Sequence, residues 1–199
     1  MDIMKTLRKR WALTTALLIL TLIATAAALV ELPWSYTATA DIMLLPSKNL
    51  ARPYGGNPFL AFNPTINETG DVIRYEATDM RTAQVLAAAG YTQGYTVTDA
   101  LDTSAPILVI AVTGNDAGAV EHTLTGVVNK ISTLLASQQS SLGPSDQIHD
   151  MVIASDPQAS RVTSKKARPL VFVFAAGLLF SVAIPVLADA AAGHRLALG

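Results

Sequence analysis

Residues 11–30 read WALTTALLILTLIATAAALV, twenty residues without a charge. At 1.5 Å rise per residue such a helix is about 30 Å long, the thickness of a bilayer's hydrocarbon core. Residues 170–188, LVFVFAAGLLFSVAIPVLA, form a second uncharged run of nineteen. Both read as transmembrane helices, placed at 11–30 and 169–188. A cleaved signal peptide competes for the first run, because Lys5, Arg8, Lys9 and Arg10 precede it and the run ends Ala-rich. A signal's apolar stretch is usually about 7–15 residues, shorter than this one. A buried core helix competes for the second run, but nothing else in the chain is long enough to bury it all round.

The rest of the composition fits around those two runs. The chain has 199 residues, 51% apolar and only 15% charged, where a soluble domain carries about 25% charged residues. A net charge of −1 argues against a nucleic-acid binder, which is normally basic on one face. The absence of cysteine excludes a disulfide scaffold, a Cys-ligated metal site and a thiol nucleophile. His122, His149 and His194 have no metal-ligand spacing.

Basic residues before the first run, and acidic Glu31 and Asp41 after it, place the N-terminus in the cytoplasm. Two spans then divide the chain into a cytoplasmic N-terminus (1–10), a span, an extracytoplasmic domain (31–168), a second span and a cytoplasmic tail (189–199). One cluster opposes this order: Arg161, Lys165, Lys166 and Arg168 crowd the outer side of the second span. The segment between the spans far exceeds the ~60 residues over which loop charges count, so the N-terminal signal decides. Residues 31–160 hold thirteen acidic and five basic side chains. An acidic, solubilised domain therefore stands on a basic collar. The collar reads either as a solvated stalk or as a contact for anionic lipid or glycan.

Within the domain, residues 36–45 alternate and then turn fully apolar, the pattern of a half-buried strand. Residues 47–64, with three Pro, two Gly and three Asn at 49, 57 and 63, read as a long irregular loop. A helix is expected to start at Asn67–Gly70 and to run, with Val72, Ile73, Met80, Ala83, Leu86 and Ala87 on its spacing, to a stop at Gly90. Strands are expected at 95–98 and 107–112. Asn115 or Asp116 caps a second helix with a clean stripe at Val120, Leu124, Val127, Val128, Ile131, Leu134 and Leu135. A last strand is expected at 147–154. The expected class is α+β: two transmembrane helices flanking a small β-α-β-β-α-β domain with helices on one face of its sheet.

No constellation in the sequence signals chemistry. There is no phosphate-binding G-x-x-x-x-G-K-[ST], no G-x-S-x-G and no H-E-x-x-H. Gly55-Gly56 lacks the flanking strand and helix of a phosphate cradle. Asp99 and Asp102 sit in a turn-like stretch and read as solvated turn residues, and His122 falls off the apolar stripe. Asn67-Glu68-Thr69 matches a glycosylation sequon, but Asn67 reads better as a helix-start residue. The expectation is a chain without catalytic residues, cofactor or metal. Small residues four apart, Ala24 with Ala28 and Gly177 with Ser181, are candidate helix-packing positions.

Several stretches together resemble the bacterial polysaccharide co-polymerases, the Wzz-like chain-length determinants, and most of all their short actinobacterial members. They are the basic N-terminus and first span, YTATADIMLLP at 36–46, NPFL at 57–60 and AAAGY at 87–91. APILVIAV at 105–112, Gln138-Gln139, and the approach to the second span from Pro157 to Pro169, with Gly177 inside that span, complete the pattern. Two features depart from longer members: the second helix is only about 25 residues, and the Pro-rich run before the second span is thinned to Pro157 and Pro169. Members fused to a tyrosine kinase carry a nucleotide loop and a Tyr cluster, whereas this chain has no Tyr after Tyr95.

The resemblance implies a non-enzymatic membrane regulator of polysaccharide chain length or export. It implies a homo-oligomer in the plasma membrane, a separate polymerase or exporter as partner, and a lipid-linked glycan as the object handled. On this view Arg161, Lys165, Lys166 and Arg168 are candidate glycan or lipid contacts. Two other readings stay open: an adaptor that activates a separate cytoplasmic tyrosine kinase, and an extracytoplasmic sensory or binding module.

Overall fold

The structure is a computed structural model that describes residues 8–196, except the side chains of 164, 165 and 188–196. The N-terminal residues 1–7, including Lys5, and the end of the tail, 197–199, lie outside the described residues. The chain forms two compact units: residues 35–161, and the two terminal segments.

The terminal unit consists of α1 (Trp11–Glu31) and the 34-residue α6 (Thr163–Leu196), packed on one another. Trp11–Glu31 and Lys166–Leu187 are each long and apolar enough to cross a membrane. Their large side chains are left uncovered: Leu22, Ile23, Phe172 and Leu179 are each more than half exposed. A helix apolar all round and uncovered by protein needs lipid or another helix around it. The second apolar helix begins earlier than the sequence indicated. Lys165, Lys166 and Arg168 lie in its first turns rather than on a stalk, and the helix runs on past 188 through most of the expected tail. Pro169 and Pro185 lie inside it. Each removes one backbone donor, a loss that hydroxyls, neighbouring helices and local adjustment make tolerable in a membrane helix.

The second unit is an antiparallel sheet in the order β2-β3-β1-β4. Its strands are β1 (Tyr36–Leu45), β2 (Gly94–Asp99), β3 (Ile107–Gly114) and β4 (His149–Ser155). A two-residue strand β5 (Ser160–Arg161) pairs with Tyr36 and Thr37, so the chain enters and leaves this sheet at the same end. Alternation puts Ala38, Ala40, Ile42 and Leu44 of β1 on one face, with Leu108, Ile110 and Val112 of β3 beside them, all buried. That face is covered by α3 (Pro64–Thr78) through Ile66, Ile73 and Ala77, and by α5 (Ala117–Gln138) through Val120, Leu124, Val127, Ile131 and Leu135. Asp116 starts α5 by accepting the Ala119 amide at 2.7 Å.

Several expectations are corrected. The stretch 47–64 is not irregular throughout. It holds a helical turn, α2 (Lys48–Ala51), and 3₁₀ turns at Arg52–Tyr54 and Pro58–Leu60. The helix expected from Asn67 starts at Pro64, because proline is pre-organised for the first helical position. Asn67 thus lies inside α3. That helix does not run to Gly90. It breaks at Asp79, whose carboxylate accepts the Arg81 amide at 2.9 Å and starts α4 (Met80–Ala88). Gly90 ends α4 as expected, with φ +94°. Val72 and Met80, expected on the packed side, are more than half exposed. The expected β-α-β-β-α-β order therefore gives way to one with a broken helix after β1 and an added β5 at the end.

Candidate functional site

The small-residue positions are divided between packed and open faces. Gly177 is half-buried, and a Cβ placed on it would collide with the Thr21 side chain. Ser181 is buried and donates to the Leu178 carbonyl at 2.8 Å. Ala28 is half-buried, whereas Ala24 is exposed. The contact stripe on α1 is instead Thr14, Leu17, Thr21, Thr25 and Ala28, with Thr14 and Thr21 buried. Each threonine turns its hydroxyl back onto its own helix: Thr14 to Arg10, Thr21 to Leu17 and Thr25 to Thr21. The polar atom is thereby satisfied, and the methyl is left for the interface. The signal was in the sequence as the seven-residue spacing 14–21–28, which a search for Gly, Ala and Ser pairs four apart passes over.

The collar residues have distinct surroundings. Arg161 closes β5 with its guanidinium 5.9 Å from the Tyr36 ring centroid. Lys166 is buried within the helical unit and holds its ammonium 4.2 Å from the Trp34 ring centroid. Such a cation–π contact contributes about 0.5–2 kcal/mol, depending on desolvation. Arg168 is exposed on α6, and the Lys165 side chain lies outside the described residues.

The densest charge cluster in the sheet unit is one the sequence did not offer. Arg74 of α3 bonds Asp71 Oδ1 at 2.7 Å and sits 3.0 Å from Asp99 Oδ2 at the end of β2. The second contact is an ion pair without hydrogen-bond alignment. The bond to Asp71, a contact with Tyr75 and the charge of Asp99 outweigh burial and push the guanidinium still further above its ordinary range. Asp99 closes β2 rather than lying in a turn and pairs with Arg74, but it stays about half exposed to solvent as expected, and Asp102 is exposed as well. His122 is exposed, with its ring 4.7 Å from that of Tyr91. Among the described residues no group of three His, Cys, Asp or Glu is placed to hold a metal ion.

No family model matches the chain, and no curated protein matches it. A solved structure of a full-length bacterial polysaccharide co-polymerase is similar over 70% of this chain, at 14% identity and a TM-score of 0.49. The chain spans about half the length of that protein, 47%.

Proposed function

We propose that the chain is a two-pass plasma-membrane protein, with both termini cytoplasmic, that regulates the length or export of a cell-envelope polysaccharide. It acts without catalysis of its own, as an oligomer, beside a separate polymerase or exporter. The observation that carries this reading is the architecture. Two lipid-ready helices bracket one α+β domain, and the residues resembling short Wzz-like determinants run in order through all three parts. The pairing of Tyr36 with Arg161 supports it further, because a domain strung between two spans must receive and release its chain at one place. The exposed Arg168, together with Arg161 and Lys165 near it in sequence, supports a weak contact with anionic lipid or lipid-linked glycan. Each cation near an anionic surface contributes about 1 kcal/mol.

The test is deletion of the gene followed by sizing of the envelope polysaccharides. The expected result is an altered length distribution or surface amount, with synthesis of the repeat unit retained. An unchanged profile would overturn the reading in favour of an adaptor or a sensory module.

A further inference from the structure

Between the first turns of α3 and the β2–β3 turn lies a cleft of about 170 Å³. Its walls carry hydrogen-bonding groups of several kinds. Arg74 occupies one oxygen of each carboxylate, Asp71 Oδ1 and Asp99 Oδ2, leaving Asp71 Oδ2 and Asp99 Oδ1 to accept. Asn67 contributes an amide that makes a long bond, 3.5 Å, to the Ser104 carbonyl. Thr103 accepts the Ala105 amide and keeps its own proton to donate. The buried Leu108 and the backbone of Gly70 supply an apolar floor.

We propose that this cleft binds a single neutral sugar ring through adjacent hydroxyls. Four features select that ligand. The volume lies well below the roughly 300–1,000 Å³ of drug-sized pockets and suits one ring. The open acceptors are carboxylate oxygens, whose charge-assisted bonds to hydroxyl donors are stronger than neutral ones. Two carboxylates facing one guanidinium leave the walls net negative, which repels a uronate or a phosphate. The amide and the hydroxyls donate to ring and hydroxyl oxygens, so both halves of a sugar's hydrogen-bonding capacity find partners. The proposal takes its biological sense from the glycan-regulator reading, and it assigns to the α3 side of the sheet the place where a repeat-unit sugar is felt.

The test is saturation-transfer NMR on the full chain in nanodiscs, with methyl α-mannoside, N-acetylglucosamine and glucuronate as probes. The expected result is transfer to at least one of the neutral sugars at least fivefold stronger than to glucuronate. Ser104→Phe, which fills the cleft from an exposed turn, and Asp71→Ala should each abolish it at an unchanged melting temperature. No transfer to either neutral sugar, equal transfer to glucuronate, or transfer surviving in a folded Ser104→Phe protein overturns the proposal. An altered glycan profile on gene deletion combined with no sugar binding removes the cleft and leaves the regulator reading standing. Binding with an unchanged profile does the reverse.

Discussion

At Gly126 two physical effects oppose each other. Alanine in a helix gains about 1 kcal/mol over glycine, which favours Gly126→Ala. A Cβ there would stand 2.5 Å from the Tyr91 ring, whose other neighbours include His122. Overpacking costs about 1–3 kcal/mol, so the substitution is expected to lower the melting temperature of the detergent-solubilised chain despite its better propensity. Gln139 is a second residue of this kind. Its side chain accepts the Ile148 amide at 2.6 Å and donates to the Ile148 carbonyl at 3.0 Å, imitating a strand partner where α5 ends and β4 begins. Gln139→Ala strands both groups and is expected to cost about 1–3 kcal/mol in thermal or denaturant unfolding. Tyr95 gives a pH dependence. Burial first, and then the charge of Asp79, raise its pKa above 10, and its hydroxyl donates to the Ala77 carbonyl at 2.6 Å. The folded state holds the proton more tightly, so this contribution is complete below pH 10 and is lost as pH rises through the folded value. Melting curves above pH 10 should therefore fall more steeply for the native chain than for Tyr95→Phe. Equal slopes would show that the phenol does not contribute.

Elements with a sustained period were legible in the sequence, and those set by local or long-range contacts were not. The stripe from Val120 to Leu135 and the alternation that opens β1 were readable because burial imposes periods of 3.6 and 2 on consecutive residues, and β3 was readable as an unbroken β-branched apolar run, ILVIAV at 107–112. The break at Asp79 was hidden because Ala83 and Leu86 fall in helical step with Val72, which the structure leaves exposed, although Leu86 is a half-turn out of phase with the buried Ala77. Two-residue β5 has no period at all. The sugar cleft was illegible for another reason: Asn67 and Ser104 meet across a separation of 37 residues. The helix pair in the apolar unit can be tested at the same scale. The chain has no cysteine, and Thr21 Cβ lies 2.9 Å from where a Cβ on residue 177 would stand. A small relaxation brings the two to the ~3.8 Å Cβ separation of a disulfide. The double variant Thr21→Cys, Gly177→Cys should oxidise to a crosslinked monomer of altered mobility on a gel. A crosslinked dimer instead would assign the Gly177 contact to neighbouring subunits.

For the whole molecule, orientation rests on a competition between two sets of positive charges. Arg8, Lys9 and Arg10 adjoin α1, while Arg161, Lys165, Lys166 and Arg168 adjoin α6. Charges near the first span usually dominate, and those beyond a segment longer than ~60 residues count for little. Lys166 is weakened further as a topological signal, because its ammonium is buried over Trp34. Both considerations favour the proposed orientation, with residues 31–168 across the membrane and the two ends inside. Single cysteines test this against a clean background, and the structure decides where to put them. Ser47 is a poor position: it is 8% exposed and its hydroxyl accepts the Leu50 amide, so a thiol there would react slowly on either side of the membrane. Ser104 and Ser145 are exposed on turns. Cysteines at these two positions should react with an impermeant maleimide in intact cells, whereas one at Gly199 should react only after permeabilisation. Labelling of Gly199 without labelling of Ser104 would invert the orientation and make the basic residues beside α6 the cytoplasmic set. Labelling of all three in intact cells would mean a single span.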